Sequence, residues 1–237
     1  ICGGGGFLNS AQRAQLQGGH SRGHHPEPGK VYVAGIDLAG EAEEIEDAVL
    51  RYLTPRQDST VVTIAEVDTR TDSTLLVPSK SLVDQQPKIN IVEHYWWTGK
   101  PHTELYSTLV DLLNNVWDCK RVVVDATGMG QPVASFLRHS LGPRVISFPF
   151  TQRSKSEIGF DLLAAINSGR LKMYASDGSP EYQEFWFEVE KAKSHYRPSQ
   201  TMNFYVDPVE GHDDFLISLA LVVEAAKRYQ PRSAKGS

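Results

Sequence analysis

The chain has 237 residues, 40% of them hydrophobic and 22% charged, with a formal net charge of −5. This length accommodates one large domain or two small ones with an ordinary buried core. No run of about 18 apolar residues is present, so no membrane span is expected. Two cysteines without CxxC spacing argue against a disulfide framework or a structural zinc site and favour a reducing compartment. The negative charge disfavours a general nucleic-acid binder, but an enzyme with an acidic metal site is compatible with it.

Residues 1–30 are rich in Gly, Ser, Gln and His, with Pro26 and Pro28 near the end. This composition is typical of a flexible linker or arm, with a short helix around 10–17. We therefore predict that ordered structure begins at Val31, that one domain covers 31–230, and that 231–237 is a disordered tail. The start of the chain has neither an initiator Met nor a secretory pattern, which is typical of a fragment of a longer protein.

From Val31 onward, apolar runs predict strands and helical spacing predicts helices. The predicted strands are 31–38, 59–67, 88–97, 121–124 and 145–148, and a hairpin is predicted from 191–196 and 201–205. The predicted helices are 103–117 with Thr103 as N-cap, 131–141, 155–167, 180–188 and 213–228. This order predicts an α/β, ribonuclease H-like fold, in which a mixed sheet of three antiparallel strands and then parallel strands is flanked by helices.

Acidic residues stand at three ends of these elements. Asp37 ends the first strand, Asp125 follows the fourth, and Asp213 and Asp214 open the last helix directly after His212. Each has an ordinary explanation, because Asp is common in turns and acids are favourable in the first turn of a helix. The predicted fold, however, places the first and fourth strands side by side and can bring the last helix to the same edge. The joint arrangement therefore predicts a cluster of carboxylates.

Clustered carboxylates repel one another unless positive charge lies between them. A site of hard oxygen donors without Cys favours Mg²⁺ or Mn²⁺. Two such ions about 4 Å apart are suited to phosphodiester hydrolysis. His212 is a candidate auxiliary ligand or proton-transfer group, although a locally hydrogen-bonded residue at the helix start is the simpler interpretation.

Basic residues are candidates for holding a phosphate backbone without reading sequence. Arg153 and Lys155 lie at the start of one helix, and Lys191, Lys193 and Arg197 lie along the predicted hairpin. An equally good interpretation is a solvated surface whose charge is balanced by nearby glutamates. Those glutamates are Glu181, Glu184, Glu188 and Glu190.

The acidic residues lie in three longer segments: Gly35-Ile36-Asp37-Leu38-Ala39, Val124-Asp125-Ala126-Thr127-Gly128-Met129-Gly130, and Gly211-His212-Asp213-Asp214-Phe215 with Ser218-Leu219-Ala220-Leu221. Together these segments resemble the nuclease domain of large terminase subunits of tailed bacteriophages or prophages. The resemblance covers 31–228 in order and spacing. It implies an endonuclease that cuts double-stranded viral DNA during genome packaging in the host bacterial cytoplasm. By the same resemblance Asp37, Asp125 and Asp214 are the metal ligands, Asp213 is an adjacent candidate, and Lys155 matches a lysine of the family.

The resemblance also implies partners. The family carries an ATPase domain on the N-terminal side, and its further partners are the small terminase subunit and the portal. No Gly-x-x-x-x-Gly-Lys-[Ser/Thr] segment occurs here, so this chain is not expected to hydrolyse ATP by itself. An acidic insertion at 41–47 departs from the family pattern.

Other interpretations stay open at the level of sequence. A Holliday-junction resolvase or a transposase-like nuclease uses similar acids. An actin-like ATP-binding protein also opens with a Gly-Ile-Asp-Leu strand, but it needs a second repeat of the same strand order. A non-catalytic docking module of a packaging motor could retain the fold without the activity.

Overall fold

The structure, a computed structural model, describes residues 5–38, 59–68, 86–128 and 130–229. The acidic insertion at 41–47 and the predicted tail at 231–237 lie outside the described residues. Among those that are described, no helix is long and apolar enough to cross a membrane.

The described ranges contain nine strands and six α-helices. The strands are β1 Gly5–Gly6, β2 Tyr32–Asp37, β3 Ser59–Asp68, β4 Lys88–Thr98, β5 Arg121–Asp125, β6 Val145–Phe148, β7 Leu171–Lys172, β8 Lys193–Tyr196 and β9 Met202–Tyr205. The helices are α1 Ser10–Leu16, α2 His102–Asp111, α3 Gly130–Leu141, α4 Gln152–Asn167, α5 Pro180–Lys191 and α6 Asp214–Arg228. A π-helical turn at Leu112–Val116 continues α2.

Six strands form one mixed sheet in the order β6-β5-β2-β3-β4-β7. Strands β2, β3 and β4 are antiparallel neighbours, and β5 and β6 continue parallel to β2 on its other side. This arrangement confirms the predicted ribonuclease H-like mixed sheet. Strand β7, which pairs in parallel with β4, was not predicted, because two residues are too few to show a pattern.

The sheet separates two apolar layers. Alternation along β2 turns Ala34 and Ile36 towards the layer that contains α2 and α3, and it turns Val33 towards the layer that contains α4, α5 and α6. Gly35 and Asp37 share the face of Val33. The catalytic candidates on the sheet therefore face α6 rather than solvent.

Helix α6 packs directly on β2 at Gly35. A Cβ on this residue would lie closer than 3.0 Å to the backbone of Ser218 and Val222, so only glycine permits this approach. Beside it, the hydroxyls of Thr63 and Ser218 form a buried hydrogen bond of 2.7 Å between β3 and α6. These contacts hold the helix close to the sheet and bring its N-terminus to the end of β2.

The segment at 5–30 packs on the domain, contrary to the prediction that ordered structure begins at Val31. Strand β1 pairs antiparallel with β8, and the side chain of Leu16 is fully buried. The Arg22 guanidinium forms ion pairs with Glu93, Asp177 and Glu181. A few apolar and charged side chains anchor this segment through contacts with distant residues, which composition does not reveal.

The predicted hairpin is present as β8 and β9, with Lys191 belonging to the end of α5 instead. The Met202 amide donates to Ser156 Oγ at 2.9 Å, which joins β9 to α4. The prediction of Thr103 as an N-cap is wrong, since α2 begins at His102 after Pro101. Lys155 of α4 and the segment that follows β9 line the cleft described below.

Candidate active site

Asp37 and Asp125 lie at the ends of adjacent parallel strands. Strand β2 pairs with β5 so that Ile36 is opposite Val124, and each aspartate follows one residue later. Residues in register on neighbouring parallel strands point to the same face of the sheet. The fold therefore brings these two carboxylates together, as the sequence predicted.

The electrostatics of Asp37 show how many acids converge on it. Only 8% of Asp37 is exposed. Burial raises the pKa of its carboxyl well above the ordinary value, and the charges of neighbouring carboxylates raise it further. Those neighbours are Asp214, Asp125, Asp213 and Glu188. Four of these five acids were predicted as site residues or ligands.

The turn after β5 orients Asp125. Its Oδ1 accepts a hydrogen bond of 2.7 Å from the Thr127 amide, and Thr127 Oγ1 in turn accepts 2.9 Å from the Phe150 amide. Burial raises the pKa of Asp125, while the bonds from Thr127 and the charge of Lys155 oppose that rise. The backbone thus holds one oxygen of the Asp125 carboxylate. Because burial disfavours its negative charge, a bound cation would stabilise the ionised form.

Asp213 and Asp214 lie at the N-terminus of α6. Asp213 occupies the N-cap position but makes no capping hydrogen bond with its side chain, and Asp214 is the first helical residue. Asp214 Oδ2 accepts from the Ser59 amide at 3.2 Å, which connects the helix start to β3. Burial raises the pKa of Asp213, and the charge of Lys155 opposes this. His212 is half-buried beside them.

These residues line a common cleft of about 390 Å³. Its lining includes the four aspartates, His212 and Lys155, with Thr127, Phe150 and Pro208 among the other wall residues. Of the predicted site residues, Lys155 is the basic one that the structure brings into this cleft. Its ammonium also lies 5.4 Å from the centre of the Phe204 ring, so β9 and α4 both position it.

Three of the other predicted DNA contacts form ion pairs on the surface. Arg153 pairs with Glu157 at 2.8 Å, and Lys193 pairs with Glu210 at 2.6 Å. Lys191 lies 3.6 Å from the same Glu210. Arg197 stays at the turn of the hairpin, where its amide bonds to the Thr201 carbonyl. Their partners are Glu157 and Glu210 rather than the glutamates of α5 considered from the sequence, and DNA binding by these residues stays a prediction.

Glu188 lies buried next to the site, although the sequence interpretation placed it on the solvated surface. Only 1% of Glu188 is exposed, and its Oε2 accepts a 2.9 Å hydrogen bond from the Leu216 amide of α6. Burial raises its pKa well above the ordinary value despite that bond, and the charges of Asp214 and Asp213 add to the effect. Glu188 lies three residues after the buried Phe185, so the two side chains share one face of α5. This spacing would have indicated that Glu188 points inward.

The donor set fits a hard divalent cation by type, because several carboxylates and, among the described residues, no thiolate face the cleft. The repulsion around Asp37 is also what a bound cation would offset. Within the described residues, no three His, Cys, Asp or Glu side chains are grouped tightly enough to hold an ion in their present positions. Binding of an ion would therefore require these side chains to move closer together.

Known structures share this arrangement of elements. The nuclease of the large terminase from thermophilic phage G20c, solved with bound magnesium, superposes with a TM-score of 0.62 at 16% identity over 95% of this chain and 98% of that one. The large terminase nuclease domain of Thermus phage P74-26 gives a TM-score of 0.58 at 16% identity, covering 90% and 94% of the two chains. The chain has the fold of a large terminase nuclease domain.

The terminase nuclease fold is also found in a longer relative. The HK97 bacteriophage large terminase matches with a TM-score of 0.58 at 11% identity over 94% of this chain, which spans 44% of the HK97 chain. Further structures of the G20c nuclease hold cobalt or zinc. By sequence alone, no family model and no curated protein matches. The likeness to terminase nucleases is therefore one of fold, and the roles of individual residues stay predictions.

Proposed function

We propose that this chain is a metal-dependent endonuclease that cleaves double-stranded viral DNA during genome packaging. The observation that carries the proposal is the convergence of Asp125, Asp213 and Asp214 on the buried Asp37, in one cleft with Lys155. Such a group of acids is costly to fold and has no evident structural purpose. The terminase nuclease fold of the chain supports the same conclusion.

In the proposed site, Asp37, Asp125 and Asp214 hold Mg²⁺ or Mn²⁺, with two ions expected, and Asp213 is an adjacent candidate. Two bound ions supply an activated water for in-line attack on phosphorus and stabilise the leaving oxygen. The structures of the G20c nuclease with bound magnesium, cobalt or zinc support a divalent cation. The expected products carry a 5′-phosphate and a 3′-hydroxyl.

The residues of the chain have distinct tasks in this proposal. The Thr127 amide orients Asp125, and the Ser59 amide orients Asp214. Lys155 contacts the phosphate backbone from the wall of the cleft, and its positive charge helps keep Asp125 and Asp213 ionised. His212 is proposed as an auxiliary proton-transfer group.

The proposed partners follow from the packaging role. Double-stranded DNA is the substrate. An N-terminal ATPase domain of the same polypeptide is proposed from the sequence resemblance, and the HK97 large terminase, of which this chain spans 44%, is long enough to hold a further domain. The small terminase subunit, the portal and a location in the host bacterial cytoplasm are proposed on the same grounds.

Incubation of the protein with plasmid DNA and Mn²⁺, beside the variant Asp125→Ala, tests the proposal. Metal-dependent cutting by the wild type and its loss in the variant would support it. An absence of metal-dependent cutting, or equal cutting by both proteins, would contradict it. A four-way junction offered beside linear duplex separates the packaging nuclease from a resolvase, since only a resolvase prefers the junction.

A further inference from the structure

The N-terminus of α6 is capped by a residue of another helix. Helix N-termini leave amides without partners, and an N-cap side chain usually satisfies the amide of the second or third helical residue. Here Asp213 is the N-cap, yet its side chain makes no such bond. The amide of Leu216, the third residue of α6, donates instead to Glu188 of α5 at 2.9 Å.

With this exchange of partners the Asp213 side chain does not cap its own helix, and it accepts hydrogen bonds from its own amide and from the backbone of Val206 instead. An Asp at the N-cap position would ordinarily turn its carboxylate back onto the helix. Because Glu188 binds the Leu216 amide, the carboxylate of Asp213 can line the cleft beside Asp214. The helix start therefore presents two carboxylates rather than using one of them to satisfy the amides of its first turn.

Glu188 itself does not line the cleft that holds the four aspartates. It lines a neighbouring cleft of about 400 Å³, which shares His212 and Asp214 with the first. Its carboxylate accepts from the Leu216 amide, so its contact with the helix start runs through the backbone of the first turn of α6. Its nearly complete burial also fixes its geometry.

We propose that Glu188 is a positioning residue, which holds the first turn of α6 through the Leu216 amide and so directs Asp213 and Asp214 into the cleft. The inference rests on the proposed nuclease function, since positioning matters only if these aspartates act. Gly35 fixes the distance between the body of α6 and the sheet. Glu188 bonds to the first turn, whereas Gly35 packs against Ser218, Leu221 and Val222 further along the helix.

The test compares Glu188→Ala with Glu188→Gln, because the amide oxygen of Gln can still accept from Leu216 while the negative charge is lost. Glu190→Ala, at an exposed position of the same helix, is the matched control. Two quantities are measured: hydrogen exchange of the Leu216 amide in metal-free protein, and plasmid cleavage with Mn²⁺.

For Glu188→Ala we expect exchange at Leu216 to be about 5-fold faster, as for a lost N-cap. Cleavage should fall by about 10- to 100-fold, as for the loss of a group that orients a ligand. Glu188→Gln should protect Leu216 as the wild type does and keep most of the cleavage that Glu188→Ala loses. Glu190→Ala should change neither quantity.

Two results would overturn the inference. One is unchanged exchange at Leu216 in Glu188→Ala. The other is a Glu188→Gln variant that protects Leu216 and yet cleaves as poorly as Glu188→Ala, because the charge of Glu188 would then be the essential property. Glu188→Gln also decides the matter if Glu188→Ala does not fold. A wild type that fails to cleave would contradict the proposed function instead, and exchange at Leu216 would still report whether Glu188 holds the helix.

Discussion

Asp37 and Asp125 each lie one residue beyond the paired Ile36 and Val124, at the same end of two adjacent parallel strands. Two strands that are far apart in sequence thus deliver two carboxylates to one edge of the sheet. The N-terminus of helix α6 brings Asp213 and Asp214 to the same edge, because Gly35 lets the helix pack closely on β2. The site is therefore a product of strand register and helix packing.

Replacing Asp37 with Asn should abolish most of the cleavage without lowering the stability of the protein. The buried carboxylate is surrounded by like charges, so its removal is not expected to lower the melting temperature in EDTA. Metal-dependent cleavage should fall by at least about 100-fold, since even residues that only orient a metal ligand cost that much. Thermal melting and plasmid cleavage measure the two effects.

The control for Asp37→Asn is Asp118→Asn, at a largely exposed aspartate with a positive φ that Asn adopts readily. This control should retain full cleavage. An Asp37→Asn variant that melts lower and cleaves normally would mean that the carboxylate serves the fold rather than the chemistry.

Substitution of Gly35 by Ala should destabilise the domain through α6. The new methyl group would press on the backbone of Ser218 and Val222, which cannot rotate away. We expect a loss of about 3 kcal/mol or more in the free energy of unfolding, measured by urea denaturation. Gly19→Ala is the control, because nothing lies within 4 Å of a Cβ at that position. Equal stability of the two variants would contradict the close packing of α6 on β2.

His94 should make the protein sensitive to acid. It is fully buried, and burial, followed by the charge of Arg22, lowers its pKa from 6.5 to about 3. Between these values the unfolded chain binds a proton that the folded protein does not. Stability therefore rises with pH across this window and is lost as pH falls below 6.5.

The limiting slope from one such proton is about 1.4 kcal/mol per pH unit. His94→Gln keeps a polar group for the Tyr174 hydroxyl, which lies 3.1 Å from His94 Nδ1 in the wild type. We expect the variant to lose stability less steeply than the wild type between pH 6 and pH 4, measured by denaturant titration at each pH. Parallel pH profiles for the two proteins would refute the role of His94.

Substitutions of Lys155 and Arg153 should affect DNA cleavage differently, although the two residues are near neighbours on α4. Lys155 lines the cleft, whereas Arg153 is exposed and paired with Glu157. We expect Lys155→Ala to lower the rate of DNA cleavage by about 10- to 100-fold, the cost of a lost hydrogen bond to a charged group. Arg153→Ala should cleave like the wild type. Similar losses in both variants would indicate a general electrostatic effect instead of a contact in the cleft.

Much of the fold could be predicted because β2, β3, β4 and β5 are apolar and rich in β-branched residues. This pattern indicates a strand without knowledge of the neighbouring residues in space. The proximity of Asp37 and Asp125 followed from the order of those strands. Contacts between distant segments were not predictable in this way. Leu16 and Arg22 are anchored by residues far along the chain, and a composition rich in Gly and His conceals this.

Glu188 was misplaced for a related reason. Its helix carries several acids, and most of them are at least partly exposed, so charge alone suggested a solvated face. Its spacing from Phe185 indicates that the side chain points inward. The hydrogen bond from the Leu216 amide explains why a carboxylate can be buried there. The partners of Lys191 and Lys193 were missed because Glu210 meets them only after the chain folds.

The most direct test of the account is a crystal of the wild-type protein soaked in Mn²⁺ and measured for anomalous scattering. We expect peaks in the cleft, with Asp37, Asp125 and Asp214 as ligands and with two ions at full occupancy. A crystal that binds Mn²⁺ only outside this cleft, or coordinates it without Asp37 and Asp125, would contradict the proposed metal site.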